Sequence, residues 1–128
     1  MNEKHITAIL DVLANYFEGL YQADTEILSK VFHPDGHYIN TLTNDYLNLS
    51  VADYFSLVDQ RTPPAATNDK RDERIISIEI GSENMAFVKA TMQMMGREYL
   101  DYLTLINEQN EWRIMTKVFS YQTMKEAI

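Results

Sequence analysis

In the first two dozen residues the apolar side chains fall at Ile6, Ile9, Leu10, Leu13, Tyr16, Phe17, Leu20 and Tyr21. This three-and-four spacing gathers them on one face of a helix. Asp24 offers an N-cap for a second, shorter helix whose apolar side is Ile27, Leu28, Val31 and Phe32. Pro34 and Gly36 end it, because proline cannot continue a helix and biases His33 toward extended backbone. "HPDG" is therefore expected to turn the chain into the strand-like "HYINTLT". Ser50, with Asp53 three residues on, opens a third helix carrying Val51, Tyr54, Phe55 and Val58. After the loop "RTPPAATNDK" the helical period gives way to four β-rich segments, "RIISIEI", "NMAFVKATMQMM", "REYLDYLTLI" and "EWRIMTKVFSYQ". The pattern predicts three helices followed by an antiparallel meander, in a single domain over residues 1–128.

The hairpins also predict which side chains share a face. A two-residue turn at Gly96 and Arg97 pairs Met94 with Tyr99, Met92 with Asp101, Ala90 with Leu103 and Val88 with Leu105. Opposed residues lie on one side of a sheet, so this apolar set faces the core and Lys89, Thr91, Gln93, Glu98 and Thr104 face away. A four-residue loop at 108–111 extends the inner face to Ile114, Thr116 and Val118. Asp101 is the anomaly on that face, a carboxylate among apolar neighbours.

Charge narrows the partners. Nineteen acidic against eleven basic side chains give a net charge of −8, which repels phosphate backbones and anionic membrane surfaces, so neither nucleic acid nor membrane is expected as a partner. With no cysteine, disulfides and thiolate chemistry are excluded. The apolar runs are too short to span a bilayer, and a cytoplasmic location is the default expectation.

The run "NYFEGLYQADTEILSKVFHPDGHYIN", with "LDYLTLINEQNEWRIMTKVF" near the end, resembles the nuclear transport factor 2-like superfamily, especially its SnoaL-like and putative lumazine-binding members. The resemblance implies an α+β, cystatin-like, cone-shaped roll in which three N-terminal helices pack on a strongly curved antiparallel sheet. A ligand pocket between sheet and helices, often in a homodimer, goes with that fold. Laid against the ketosteroid isomerase branch, Tyr16 falls at the oxyanion-binding tyrosine and Asp101 at the protonated, hydrogen-bond-donating aspartate. Asn40 falls where the general-base aspartate belongs, and an amide cannot take a proton from carbon.

The candidate site is accordingly headed by Tyr16, Asn40 and Asp101. Apolar surroundings disfavour the charged form of a carboxyl group, so Asp101 could donate to a substrate oxygen beside Tyr16. The pair could equally be a buried polar contact that organises the pocket wall. Tyr38, Tyr54, Phe55, Met92, Met94, Tyr99 and Thr116 are expected around it, although stripes of this kind are usually plain core. Asp45, Asp53 and Asp59 are further carboxylates that could act as a base, with loop solvation, capping and surface charge as their ordinary roles. His33, Asp35 and His37 invite a metal reading, but Pro34 and Gly36 break the helix or strand that would align the two rings. The expectation is no metal and no cofactor, with His33 at a helix C-terminus, His37 turned away from Tyr38 and Asn40, and Trp112 bonded through its indole N–H to a carbonyl. Three functions stay open: a binding protein for a small planar or apolar ligand, a cofactor-free isomerase, cyclase or dehydratase using Asp101 and Tyr16, and a non-catalytic homodimerisation domain. The last would use an exposed sheet face bearing Phe87, Met115 and Phe119.

Overall fold

Ile9, Leu13, Tyr16, Phe17 and Leu20 are all buried, and the face they form fixes the first helix against the sheet. In the computed structural model, which describes residues 2–124, this helix is α1 (Asn2–Gln22). Asp24 caps α2 (Thr25–Ser29) as expected, its carboxylate accepting from the backbone N–H groups of Glu26 and Ile27. Gly19 admits α2 at close range, since a Cβ there would stand 2.7 Å from Leu28. The helix stops at Ser29, and Phe32 already belongs to strand β1 (Phe32–Asn40).

A short 3₁₀ turn at Thr43–Asp45 leads into β2 (Leu47–Ser50), which the sequence pattern did not separate from loop. Ser50 then caps α3 (Val51–Asp59), its hydroxyl accepting from Asp53 N–H. A second 3₁₀ turn at Pro64–Thr67 precedes β3 (Arg74–Ile80), β4 (Met85–Met94), β5 (Arg97–Glu108) and β6 (Glu111–Thr123). The six strands lie in the order β2-β1-β6-β5-β4-β3. Every neighbouring pair is antiparallel except β1 and β6, which run parallel. The sheet is thus mixed, and β1 inserts its aromatic positions beside the last strand.

Two register findings decide which side chains face inward. The β4–β5 turn is Met95-Gly96, both at positive φ, so Met94 pairs with Arg97, Met92 with Tyr99 and Ala90 with Asp101. The expected turn was one residue further along. The difference moves each partner by two positions, so the faces survive, and Ala86, Val88, Ala90, Met92, Met94, Tyr99, Asp101, Leu103 and Leu105 are all buried.

The β5–β6 hairpin departs more deeply. Its turn is Gln109-Asn110, again at positive φ, and Leu105 opposes Ile114 as expected, but Thr104 then opposes Thr116. Met115 is an extra residue, a bulge that inverts the alternation beyond it. Thr116 consequently lies on the outer face, its hydroxyl 2.6 Å from that of Thr104, whereas Lys117 and Phe119 turn inward and are buried. Both the inward Thr116 and the exposed Phe119 of the sequence reading are corrected by this one residue. The same irregularity appears in β1, where Phe32 pairs with Ile114 but His37 with Thr116. "HPDG" is therefore the counterpart of the bulge within a strand, not a turn before one. Gly36 is required there by contact, since a Cβ would stand 2.7 Å from the Met115 carbonyl oxygen.

Candidate functional site

The inner face closes over a polar group of four side chains from four elements: Tyr16 of α1, Tyr54 of α3, Asp101 of β5 and Lys117 of β6. Tyr16, Tyr54 and Asp101 are fully buried, and Lys117 is 4% exposed. Tyr16 donates its hydroxyl proton to Asp101 Oδ2 at 2.5 Å. Burial first, and then the adjacent Asp101, push the Tyr16 phenol well above its ordinary range, so it stays a neutral donor. Its single proton is committed to Asp101, and the expected pair is thus a closed contact in which Tyr16 has nothing left to give an oxyanion.

Two other atoms in this group are unmatched. Asp101 Oδ1 and the Tyr54 hydroxyl are buried without a hydrogen-bond partner among the described residues. Burial is also the main cause that raises the Tyr54 phenol. Arg61, with its guanidinium carbon 5.9 Å from the Tyr54 ring centroid, opposes that shift without reaching hydrogen-bond geometry. The Lys117 ammonium nitrogen sits 5.2 Å from the ring centroid of Tyr16, 5.6 Å from Tyr38, 5.7 Å from Tyr54 and 5.0 Å from Phe119. None of the ion pairs among the described residues involves it. Lys117 was not foreseen from the sequence, because regular alternation places it outside.

Above this group lies a cleft of ≈ 290 Å³ whose wall includes Tyr38, Asn40, Tyr99 and Phe119, with Asp45, Gln60, Arg61 and Arg97 at its polar side. Tyr38 stacks on Tyr54 at 4.1 Å and tilts against Phe119 at 4.9 Å, so these rings are the cleft's floor and also the roof of the polar group. Burial raises the Tyr38 phenol, and the nearby Lys117 charge partly offsets this. Arg97 lies over the Tyr121 ring at 4.1 Å, and neither Arg61 nor Arg97 is in an ion pair among the described residues. Another groove, of ≈ 240 Å³, opens on the outer sheet face among Leu100, Tyr102 and Val118. It has no charged side chain in its wall, whereas the inner cleft combines aromatic surface with charged and amide groups.

The other anticipated residues divide clearly. Tyr38, Asn40 and Tyr99 line the cleft, while Tyr16, Tyr54 and Asp101 lie beneath it and Phe55, Met92 and Met94 pack in or against the core outside its wall. Asn40 is already engaged at both amide atoms: Nδ2 donates to Asp45 Oδ2 at 3.0 Å and Oδ1 accepts from Leu42 N–H. It pins the Thr43–Asp45 turn, and Tyr121 donates to the same Asp45 oxygen. Of the three spare carboxylates, only Asp45 reaches the cleft; Asp53 sits in the first turn of α3 and Asp59 accepts from Thr25.

No group of three metal-ligating side chains occurs among the described residues. His33 is buried within β1, where Nδ1 accepts from Asp35 N–H and Nε2 donates to Glu108 at 2.6 Å. It joins β1 to the end of β5 and does not cap a helix, contrary to expectation; His37 is exposed. Trp112 donates to His5 Nδ1 at 3.2 Å, not to a carbonyl. On the outer face Phe87 packs edge-on against Tyr102 and Met115 is half-buried. Among the described residues no helix is long and apolar enough to cross a membrane.

Helices lining one face of a six-stranded sheet, with an aromatic cleft at the mouth, define an α+β domain of the nuclear transport factor 2-like, cystatin-like kind. The chain belongs to the putative lumazine-binding family, whose model matches residues 4–120. It is similar to a nuclear transport factor 2-like protein of unknown function from Shewanella baltica, with a TM-score of 0.85, 18% identity, and coverage of 95% of this chain and 97% of that one. A second such protein, from Silicibacter pomeroyi, gives a TM-score of 0.80 at 18% identity, covering 95% and 99%. Among curated proteins, aldolase FrzH from Cladobotryum sp. is 25% identical over 123 residues, covering 91% of this chain and 94% of that protein.

Proposed function

We propose that this protein binds a small planar ligand bearing a carbonyl or carboxylate group, with its ring between Tyr38, Tyr99 and Phe119 and its polar end toward Arg61 and Arg97. The observation that carries this reading is the cleft itself, where two guanidinium groups that make no ion pair among the described residues stand beside aromatic walls in a chain of net charge −8. Aromatic walls favour a flat molecule, and a guanidinium fork favours a carbonyl or carboxylate oxygen over an apolar end. The family's description as putative lumazine-binding agrees with a flat, carbonyl-bearing ligand.

Thermal unfolding with lumazine and with benzoate as probes tests it. Ligand at about a hundred times its Kd adds about 2.7 kcal/mol of stability, which raises Tm by several degrees. Arg97→Met and Arg61→Met should each weaken that shift. If neither probe stabilises the protein at millimolar concentration, the reading fails.

A second reading, a cofactor-free enzyme acting on a carbonyl compound, is favoured by the unmatched Asp101 Oδ1 and Tyr54 hydroxyl under the cleft, and by the curated relative being an aldolase. In this reading Tyr54, and not Tyr16, is the phenol free to donate, and Asp101 supplies the proton acceptor that Asn40 cannot.

A further inference from the structure

The bulge at Met115 leaves a lysine where the rest of the inner face holds mainly apolar side chains. An ammonium group has three N–H donors and no acceptor, and withdrawing it from water unbonded is costly. Lys117 nevertheless stands among four aromatic rings and makes no ion pair among the described residues. Asp101 opposes Phe119, and Lys117 opposes Leu103, so the two are diagonal neighbours on the inner face of one strand pair, with Cα atoms about 7 Å apart in such pairs. Tyr16 links them, with its ring beneath the amine and its hydroxyl on Asp101. Tyr38 and Phe119 both flank the amine and line the cleft, so the cleft and Lys117 share these two rings as a common wall. An amine set among rings, with a buried carboxylate oxygen and a buried phenol hydroxyl that have no partner among the described residues, supplies on one inner face the parts of a carbonyl-condensing site.

We propose that Lys117 is an amine nucleophile that forms an imine with an aldehyde or ketone entering through the cleft; this rests on the reading that the cleft takes a small carbonyl ligand. The Lys117 nitrogen bonds to the carbonyl carbon, the carbon–oxygen bond breaks, and both amine hydrogens leave with the oxygen as water. No oxidant or reductant is consumed. The Tyr54 hydroxyl donates toward the departing oxygen; where the imine nitrogen then takes up a proton from solvent, loss of a proton from the adjacent carbon to Asp101 Oδ1 yields the neutral enamine. Binding of a flat ligand and covalent capture of a carbonyl are separate properties of the same site.

The test is to incubate the full chain with benzaldehyde, reduce with cyanoborohydride, and map the adduct by peptide mass, alongside thermal shifts with unreactive benzoate. The expected result is labelling at Lys117 exceeding that at exposed Lys4, Lys30 or Lys70 by about tenfold, as for an activated lysine, and loss of that adduct in Lys117→Arg. Peptide mapping of the unmodified sequence needs no variant, so a poorly folding Lys117→Arg does not weaken the test. If benzoate stabilises the protein and Lys117 stays unlabelled, imine formation is wrong and the ring cage simply holds a cation. If neither benzoate nor benzaldehyde stabilises it and Lys117 is unlabelled, the cleft reading falls as well.

Discussion

The two hairpins that build the inner face begin alike and end differently. Both turn on two residues at positive φ, Met95-Gly96 and Gln109-Asn110. Along β4 and β5 strict alternation then runs for the whole pair, and a registration difference of two residues costs nothing because inward positions stay inward. Between β5 and β6 one extra residue, Met115, inverts everything beyond it. The regular hairpin supplies the wall with Met92, Met94 and Tyr99. The bulged one supplies the chemistry, because it exchanges a hydroxyl at Thr116 for an amine at Lys117.

Deleting Met115 breaks the contrast most severely. Removing the extra residue makes β6 regular while Thr116 stays outward and Lys117 and Phe119 stay inward, but it takes away the Met115 carbonyl on which Gly36 packs and leaves the β1 irregularity between Phe32 and His37 unmatched, at a cost of about 3 kcal/mol. Denaturant titration should show at least that loss, or no cooperative unfolding at all. A deletion variant as stable as the parent would mean the bulge is dispensable to the fold.

Tyr16→Phe gives the next largest effect. It strips the buried Asp101 carboxylate of its one side-chain hydrogen bond among the described residues, at a cost of about 1–3 kcal/mol near neutral pH. Its pH dependence carries a sign. The Tyr16 and Tyr54 phenols are raised in the folded protein, so the stability they contribute is complete below about pH 10 and falls as pH rises past it, by about 1.4 kcal/mol per pH unit for each phenol. Tyr16→Phe should remove one phenol's share of that alkaline slope, as seen in urea titrations at successive pH values. An unchanged slope would contradict the burial of Tyr16 in the native state.

The smallest effect concerns the turns, which are what the hairpins share. Asparagine tolerates positive φ better than methionine or glutamine, so Met95→Asn and Gln109→Asn should each add about 0.5–1 kcal/mol. Equal gains sharpen the comparison, since they show that the turns do not distinguish the two hairpins. A loss in either variant would contradict the turn geometry assigned there.

What the sequence made legible follows from local physics. The α1 face, the Asp24 and Ser50 caps, the inward set of β4 and β5, and the Tyr16–Asp101 contact all follow from spacing or from family resemblance. The bulge left no such mark, because "IMTKVF" contains no glycine, proline or asparagine and reads as a regular strand in either parity. Its one trace was next door, in the Pro34 and Gly36 of "HPDG", which announced an irregularity but not that it belonged to a strand pair 78 residues away, the distance between His37 and Met115. The His33–Glu108 contact and the use of Asn40 to hold Asp45 were hidden for a related reason: they depend on tertiary partners, not on pattern.

The central claim is that Met115 bulges and Lys117 lies among the rings. Proton NMR tests it directly, through nuclear Overhauser contacts from the Lys117 side-chain methylenes and the Thr116 methyl group. The account predicts Lys117 contacts to the rings of Tyr16, Tyr38 and Phe119, strong upfield ring-current shifts on its methylenes, and Thr116 contacts confined to Thr104 on the outer face. Contacts from the Thr116 methyl to the Tyr16 ring, with unshifted solvent-exposed Lys117 methylenes, would contradict it.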